Sequence, residues 1–298
     1  CARVLWRCHI GHDTSNEEVE AGWKWLQPYL EPNPLFVFSR EAYIPDYCDH
    51  GKSAIVTPSI DVFSPKNHDL DDATVRSILV QADLVDGPAP DDRPPLFWCD
   101  DGSPERVCRR ADVVRLGRAP SWETPLVLQV SRWDPLKDPV GVMRGFVELL
   151  GERSGDDVEL VLAGPSTEGV ADDPEGASVL EEVIATWREL PESLRERIHL
   201  ASLPTDDVAE NAAIVNALQR HASVIVQKSL HEGFGLTVTE AMWKGRPVVA
   251  SAVGGIQDQI EHGVSGVLLG DPEDNSAFAR ALAGLLDDPQ LARRLGEA

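Results

Sequence analysis

The chain has 298 residues, with 50 aspartates and glutamates against 27 lysines and arginines, and a formal net charge of −23. This acidity argues against a nucleic-acid-binding protein, because binding to phosphate backbones depends on clustered lysine and arginine. No apolar run approaches the roughly 20 residues of a membrane-spanning helix, so we do not expect an integral membrane protein. At roughly 150 residues per domain, the length suggests two domains.

The start of the chain and its cysteines suggest a fragment of an intracellular protein. The sequence begins at Cys1 without a methionine or a signal peptide, and its first residues are typical of a buried strand. We therefore expect that the true N-terminus is missing. The five cysteines form no Cys-x-x-Cys pair and no matching histidine spacing, so no metal site is expected. Reduced thiols and a cytoplasmic location are the expectation for such a chain.

Residues 1–118 carry short apolar runs and helical patterns at irregular spacing. The predicted elements are strands at 4–10, 35–39 and 54–58 and helices at 17–30 and 70–82. The stretches 86–95 and 117–125 are rich in proline and polar residues, which interrupts regular structure. We therefore predict a domain boundary at the second stretch, with a second domain at 119–298.

From residue 126 onward, short apolar strands alternate with helices. The predicted strands are at 126–131, 158–164, 198–202, 223–227, 247–251 and 266–269. The predicted helices are at 140–150, 175–190, 207–221 and 237–245, followed by a short helix and a last helix from about 275. This alternation predicts an α/β fold whose parallel sheet is covered on both faces. Ligands bind such sheets beyond the carboxyl ends of the strands, so we expect functional residues in the loops that follow them.

The loop after the first of these strands carries two cations. Arg132 and Lys137 lie five positions apart, which suits them to close on a pyrophosphate from two sides. An arginine fork and a lysine point charge can stabilise a departing diphosphate, as Mg²⁺ does in other enzymes. A solvated surface loop is the alternative interpretation of these two residues taken alone.

A glycine-rich turn follows the fourth strand of this series. Gly233 and Gly235 permit a close backbone approach just before a helix, whose N-terminus offers N–H groups to an anion. Glu232 and Glu240 bracket this turn and are eight positions apart. Thr237 and Glu240 also have the spacing of a capping box, so Glu240 has a structural interpretation beside the functional one.

Another glycine turn, at 253–255, follows the next strand. Three anion-binding loops on one sheet edge predict a ligand that carries phosphate. The sequence contains neither a P-loop nor a G-x-G-x-x-G motif, which argues against an ATPase and against a simple dehydrogenase.

Several motifs together resemble a known family. They are WRCHI at 6–10, PSID at 58–61, PKN at 65–67, QVSRWDP at 129–135, EGFGLTVTEAMWKGRPVV at 232–249 and VGG at 253–255. The set resembles the retaining glycosyltransferases of family four, and within them the trehalose synthases that join a nucleotide-glucose to glucose. The resemblance covers most of the chain and implies the GT-B fold, in which two Rossmann-like domains face each other across a cleft. The N-terminal, acceptor-side domain would be incomplete here, and the C-terminal domain would hold the donor.

The resemblance also implies roles for individual residues. Arg132 and Lys137 would bind the donor diphosphate. Glu232 would lie near the transferred glucose, while Glu240 would accept hydrogen bonds from the ribose hydroxyls. The other implied donor-binding residues are His9, Gly233, Phe234, Gly235, Leu236 and Thr237. The residues implied on the acceptor side are Arg7 and Asp13.

The mechanism implied by the resemblance is front-face attack, in which the leaving phosphate takes the proton of the acceptor. This chemistry would need neither a metal nor a cofactor, since the nucleotide-glucose, with UDP or ADP as its nucleotide, is a substrate and glucose is the acceptor. A trehalose phosphorylase, a fragment that binds nucleotide-sugar without turnover, and an enzyme for another acceptor stay open as alternatives. Relatives often form homodimers, which leaves a monomer and a homodimer as the alternatives.

Overall fold

A computed structural model describes residues 5–9, 11, 13–90, 93–153, 158–167 and 174–298. Cys1 and the two end residues of the predicted first strand, Val4 and Ile10, lie outside these described residues. The β-strands are β1 (Trp6–Arg7), β2 (Phe36–Phe38), β3 (Ser53–Ile55), β4 (Leu96–Trp98), β5 (Pro104–Arg106), β6 (Asp112–Val114), β7 (Leu126–Val130), β8 (Glu159–Pro165), β9 (Ile198–Leu203), β10 (Val224–Gln227), β11 (Val248–Ser251) and β12 (Val267–Leu269). The α-helices are α1 (Glu17–Leu30), α2 (Asp72–Gln81), α3 (Pro139–Glu152), α4 (Pro174–Glu189), α5 (Glu192–Arg195), α6 (Val208–His221), α7 (Leu236–Trp243), α8 (Asn275–Asp287) and α9 (Pro289–Glu297).

The strands and the longer helices predicted from residue 126 onward are confirmed, and their ends shift by at most two residues. The predicted short helix is a 3₁₀ helix, Gly254–Asp258. The last predicted helix differs because it is broken into α8 and α9. Asp288 ends the first of these helices and caps the second by accepting the N–H groups of Gln290 and Leu291, while Pro289 occupies its first turn. None of the helices in the described ranges combines the length and apolar character needed to cross a membrane.

Strands from the described residues form a seven-stranded sheet in the order β12-β11-β10-β7-β8-β9-β6. Its strands pair in parallel except for β6, which runs antiparallel to β9 at one edge. From β7 the chain adds β8 and β9 on one side, and then returns to add β10 and β11 on the other. The strand order therefore reverses between β7 and β10, and ligands of such sheets bind in the crevice at this point.

Alternating side chains place apolar groups on both faces of this sheet. Leu126 and Leu128 of β7 pack in one cluster with α2, α6 and α7, whereas Val127 packs on the opposite face with α3, α4 and α8. All three side chains are buried. Near-continuous apolar strands are what a parallel sheet covered by helices requires, and the predicted α/β architecture is confirmed.

A second, three-stranded parallel sheet has the order β1-β2-β3 and packs against α1. Aromatic rings join them, with the ring centroid of Trp23 lying 6.1 Å from that of Trp6 and 6.4 Å from that of Phe38. In contrast, α2 and β6 pack on the large sheet, although both precede residue 118. The division into domains at residue 118 stays a prediction. Of the described strands before it, β1, β2 and β3 form the small parallel sheet, β4 and β5 pair as a two-stranded antiparallel sheet, and β6 joins the large sheet.

Candidate functional site

The crevice between β7 and β10 is formed by the two loops that follow these strands. The N–H of Leu230 donates to the carbonyl of Leu136 at 2.8 Å, which joins the loops. A second connection is the ion pair between the buried ammonium of Lys228 and the carboxylate of Asp138. Asp138 has a φ of +49° and caps α3 by accepting the N–H of Gly141. The two loops therefore form one fixed unit at the carboxyl edge of the sheet.

Lys137 and Glu232 meet across these loops. The ammonium of Lys137 donates to Oε2 of Glu232, and the two side chains are only 15% and 13% exposed. Gln129 Nε2 donates to the carbonyl of Lys137 at 2.9 Å, and Oε1 of Glu232 accepts the N–H of Gly233 at 3.2 Å. A predicted cation and a predicted carboxylate from separate loops thus form one charged pair.

Arg132 lies at the rim of the crevice rather than inside it. Its guanidinium pairs with Asp134 at 2.9 Å, and its side chain is 71% exposed. Asp134 is fixed in turn, because its other carboxylate oxygen accepts the N–H of Leu136 at 2.9 Å. An exposed arginine held at one side can still reach an anion that enters the crevice, whereas Lys137 already lies inside the crevice.

The glycine turn before α7 has the backbone that only glycine adopts readily. Gly235 has a φ of +86°, and a Cβ there would come within 2.9 Å of Ile256. Gly235 is also the N-cap of α7, and no side chain caps this helix. The predicted capping box of Thr237 and Glu240 is therefore wrong, since a helix that begins at Leu236 already includes Thr237 and leaves it inside the first turn.

Glu240 is buried, and its carboxylate is held by two side chains from other parts of the chain. Lys66 Nζ lies 2.8 Å from Oε1, and Gln219 Nε2 donates to Oε2 at 3.2 Å. Lys244, one turn further along α7, donates to the Glu240 carbonyl at 3.3 Å, and burial lowers the pKa of this lysine to about 7. Sequence reasoning missed Lys66 as a site residue, because it appears in the sequence only as part of the PKN motif.

A cavity of about 510 Å³ collects these groups. Its described charged lining consists of Lys66, Arg132, Lys137, Glu232 and Glu240. Three cations against two carboxylates leave one net positive charge, in a chain of net charge −23. The apolar part of the lining includes Pro165, Leu203, Val208, Ala212 and Val215. A charged end beside an apolar wall fits a ligand that combines an anionic group with a flat or apolar part.

The cavity unites part of the predicted site. The predicted residues in its lining are Arg132, Lys137, Glu232, Gly235, Leu236, Thr237 and Glu240. The predicted residues outside its lining are Arg7, His9, Asp13, Gly233 and Phe234. His9 borders the glycine turn through its backbone oxygen, 3.7 Å from where a Cβ of Gly233 would stand. Arg7 donates to the carbonyl of Val56 at 3.2 Å. The roles implied for all these residues stay predictions.

The small sheet and its neighbouring loops contact the crevice through Tyr43 and Asp13. The Tyr43 hydroxyl donates to the carbonyl of Gly233 at 2.6 Å, and burial raises the pKa of Tyr43, so the hydroxyl keeps the proton that it donates. Asp13 accepts the N–H of Gly254 at 2.6 Å and pairs with Arg40. Sequence reasoning missed Tyr43 and Arg40, because single residues in irregular segments carry no spacing signal.

Across the described residues, no group of three or more histidine, cysteine, aspartate or glutamate side chains is arranged to hold a metal ion. The expectation that the reaction uses neither a metal nor a cofactor stays a prediction.

Comparisons with known proteins match residues 119–298 to a family and nearly the whole chain to a curated relative. Residues 119–298 match the family described as glycosyl transferases group 1. The trehalose synthase of Pyrococcus horikoshii is 33% identical over 292 residues, which cover 98% of this chain and 57% of that protein. The trehalose phosphorylase of Pleurotus pulmonarius is 33% identical over 180 residues, which cover 57% of this chain and 23% of that protein. The chain thus spans little more than half the length of the trehalose synthase that it matches.

The fold of the chain is similar to that of a solved structure. Anabaena Alr3699/HepE, in complex with UDP and glucose, matches with a TM-score of 0.64 and 15% identity over 98% of this chain and 64% of that one. A likeness at this level of identity shows the fold alone, and it confirms the predicted GT-B type of α/β fold. Since the family match covers more than half of the residues, the chain belongs to the group 1 glycosyltransferases.

Proposed function

We propose that the protein is a retaining glucosyltransferase that moves glucose from a nucleotide-glucose to glucose and so makes trehalose. The observation that carries this proposal is the meeting of Lys137 and Glu232 in one cavity with Arg132 and Glu240. Lys137 and Arg132 suit the diphosphate of such a donor, Glu232 suits its glucose, and Glu240 suits its ribose. The similarity to a trehalose synthase supports glucose as the acceptor.

In the proposed reaction, the bond between the anomeric carbon of glucose and the diphosphate oxygen breaks, and its electron pair stays on the diphosphate. Lys137 from inside the cavity and Arg132 from its rim would stabilise this developing negative charge. The acceptor hydroxyl attacks the same face of the sugar, and its proton passes to the departing phosphate. The protein then contributes positioning and charge, and no side chain has to act as the base.

The partners of the carboxylates support this front-face route over a covalent intermediate. A covalent route needs a carboxylate nucleophile and a second carboxyl group about 5 Å away. Within the described lining of the cavity, the carboxylates are Glu232 and Glu240, and each is paired with a lysine. A carboxylate that is bound to an ammonium group is a weaker nucleophile, so Glu232 is better suited to orient the transferred glucose.

Product analysis tests the proposal. The protein at its full natural length is offered UDP-, ADP-, GDP- and TDP-glucose, each with glucose, in the presence and absence of EDTA. We expect trehalose from at least one donor, at a rate that EDTA leaves unchanged. The absence of trehalose with every donor would contradict the proposal, and the donor that reacts identifies the nucleotide.

A trehalose phosphorylase is the second candidate, favoured by the similarity to the Pleurotus pulmonarius enzyme. Such an enzyme would release glucose 1-phosphate from trehalose and inorganic phosphate, without any nucleotide. Incubation with trehalose and either phosphate or a nucleoside diphosphate separates the two activities. Binding of nucleotide-glucose without any product would instead favour a fragment that only holds the donor.

A further inference from the structure

The segment 65–69, between β3 and α2, is held against the end of α7 by a buried asparagine. Asn67 is 3% exposed. Its Nδ2 donates to the carbonyl of Asp61 at 2.9 Å, and its Oδ1 accepts from Lys244 Nζ at 2.9 Å. The side chain therefore links the segment to its own loop on one side and to α7 on the other.

Side chains of α6 and α7 hold the backbone of the same segment. Asn216 Nδ2 donates to the carbonyls of Pro65 at 3.0 Å and of His68 at 2.8 Å. Trp243 Nε1 donates to the carbonyl of Asn67 at 3.1 Å. The residues on both sides of Lys66 are thus anchored, so the backbone of this lysine has one fixed place on the surface of the two helices.

From that place, the side chain of Lys66 extends into the cavity. Its ammonium lies 2.8 Å from Oε1 of Glu240, and the Lys66 side chain is 38% exposed against 6% for Glu240. A buried carboxylate is unfavourable unless it is paired. An unpaired negative charge here would also repel any phosphate group that enters the same cavity.

We propose that Lys66 is a positioning residue of the nucleotide site that acts by cancelling the charge of the Glu240 carboxylate, which Gln219 also holds, so that the cavity accepts a nucleoside diphosphate. The inference rests on the proposed function, in which this cavity holds a nucleotide-sugar. It assigns the segment 65–69 to the donor site, although this segment lies before the matched family region at 119–298. The effect of Lys66 is therefore expected on the charged part of the ligand rather than on the nucleoside.

Nucleotide binding by Lys66→Met tests the inference. Calorimetry gives the Kd of UDP, ADP, GDP and TDP for the 298-residue chain, and saturation-transfer NMR gives the Kd of the nucleoside that matches the tightest of them. Lys66→Met should weaken diphosphate binding by about tenfold or more, and nucleoside binding by less than about threefold, because only the diphosphate meets the uncompensated charge. Lys24→Met is the matched control, since it removes an exposed lysine of α1 and should change neither Kd.

A double-mutant cycle separates charge compensation from a merely structural role. In the double variant Lys66→Met/Glu240→Gln, the ratio of the nucleoside Kd to the diphosphate Kd should return to within about threefold of the wild-type ratio, because the pair again carries no net charge. Lys66→Arg keeps the positive charge and should bind the diphosphate within about threefold of wild type. Should Lys66→Met fail to fold in a thermal melt, Lys66→Gln takes its place, because it retains a donor to Glu240 without the charge.

Two results with Lys66→Met and its double variant would overturn the inference. They are an equal loss of nucleoside and diphosphate binding in Lys66→Met, and a Kd ratio in the double variant that stays as far from the wild-type ratio as in Lys66→Met. A loss in Lys66→Arg as large as in Lys66→Met would do the same. If the wild-type chain bound none of the four diphosphates, the proposed function itself would fail, and the inference with it.

Discussion

Charge pairing between single residues explains how so acidic a chain keeps cations at its site. Lys137 is paired with Glu232 inside the crevice, and Arg132 is paired with Asp134 at its rim. The Lys137 side chain is only 15% exposed, and the carboxylate compensates its charge and holds it in place before a ligand binds. In the proposed reaction, the donor diphosphate supplies the negative charge that these cations then stabilise.

We predict that Lys137→Ala and Arg132→Ala each lower kcat for trehalose synthesis by about 100-fold or more. Each substitution removes one preorganised hydrogen-bond donor that would stabilise the negative charge developing on the diphosphate. Steady-state rates of the protein at its full natural length measure this effect. Lys52→Ala and Arg144→Ala are the matched controls, because both side chains are exposed and lie outside the lining of the cavity. A wild-type kcat in either crevice variant would contradict the proposed roles.

His221 gives a prediction about stability. Its ring stacks on Trp122 with a centroid distance of 4.2 Å, and burial lowers its pKa from 6.5 to about 4. Below pH 6.5 the unfolded chain therefore binds a proton that the folded chain does not, so this group lowers the free energy of unfolding as the pH falls toward 4. The difference between the two pKa values corresponds to an upper limit of roughly 3 kcal/mol.

His221→Phe keeps an aromatic ring on Trp122 and removes the titrating group. Urea unfolding of both proteins at several pH values between 7.5 and 4 measures the effect. The free energy of unfolding of wild type should fall more steeply than that of the variant below pH 6.5, and the two curves should run parallel above it. Parallel curves over the whole range would contradict the assignment.

At the scale of elements, local patterns are predictable from the sequence and distant contacts are not. The helix at 17–30 occupies the predicted residues, because its apolar period is local. The edge strand at 112–114 was missed, since its pairing depends on β9, far along the chain. Lys137 and Glu232 could be predicted because they follow strands whose carboxyl ends share one edge. Lys66 could not, because buried polar contacts with α6 and α7 place it, and such contacts have no period in the sequence.

The turn that follows β11 gives a prediction at this scale. Gly254 has a φ of +53°, and a Cβ built there would collide with the carbonyl oxygen of Glu232. Gly254→Ala therefore pushes apart two turns beside the cavity. We expect a loss of about 2 kcal/mol or more in the free energy of unfolding, and nucleotide binding weaker by about tenfold.

Gly263→Ala is the matched control for this substitution. Gly263 has a φ of +77°, which imposes similar backbone strain, but no other atom lies within 4 Å of its Cβ position. It should cost about 1 kcal/mol and leave nucleotide binding unchanged. Urea unfolding and calorimetry of both variants measure these effects, and equal losses of nucleotide binding would show that strain alone is responsible.

At the scale of the whole molecule, the chain repels the class of ligand that its cavity attracts. The net charge is −23, while the described charged lining of the cavity carries three cations and two carboxylates. A nucleoside diphosphate is itself an anion, so the long-range field opposes its approach and the short-range field favours its binding. Salt separates these two effects, because screening removes the longer-ranged one first.

We therefore predict that added salt speeds the association of the nucleoside diphosphate. Its association rate constant should rise by about two- to fivefold as the ionic strength increases from about 0.01 M to about 0.1 M, because the Debye length falls from about 30 Å to about 10 Å. Stopped-flow binding of a fluorescent nucleotide measures this rate, and an uncharged nucleoside analogue, whose rate should not change, is the control. At higher salt the dissociation rate should rise, because contacts with Lys137 and Arg132 are then screened as well. A rate constant that falls steadily from the lowest salt onward would show that the cavity outweighs the net charge even at long range.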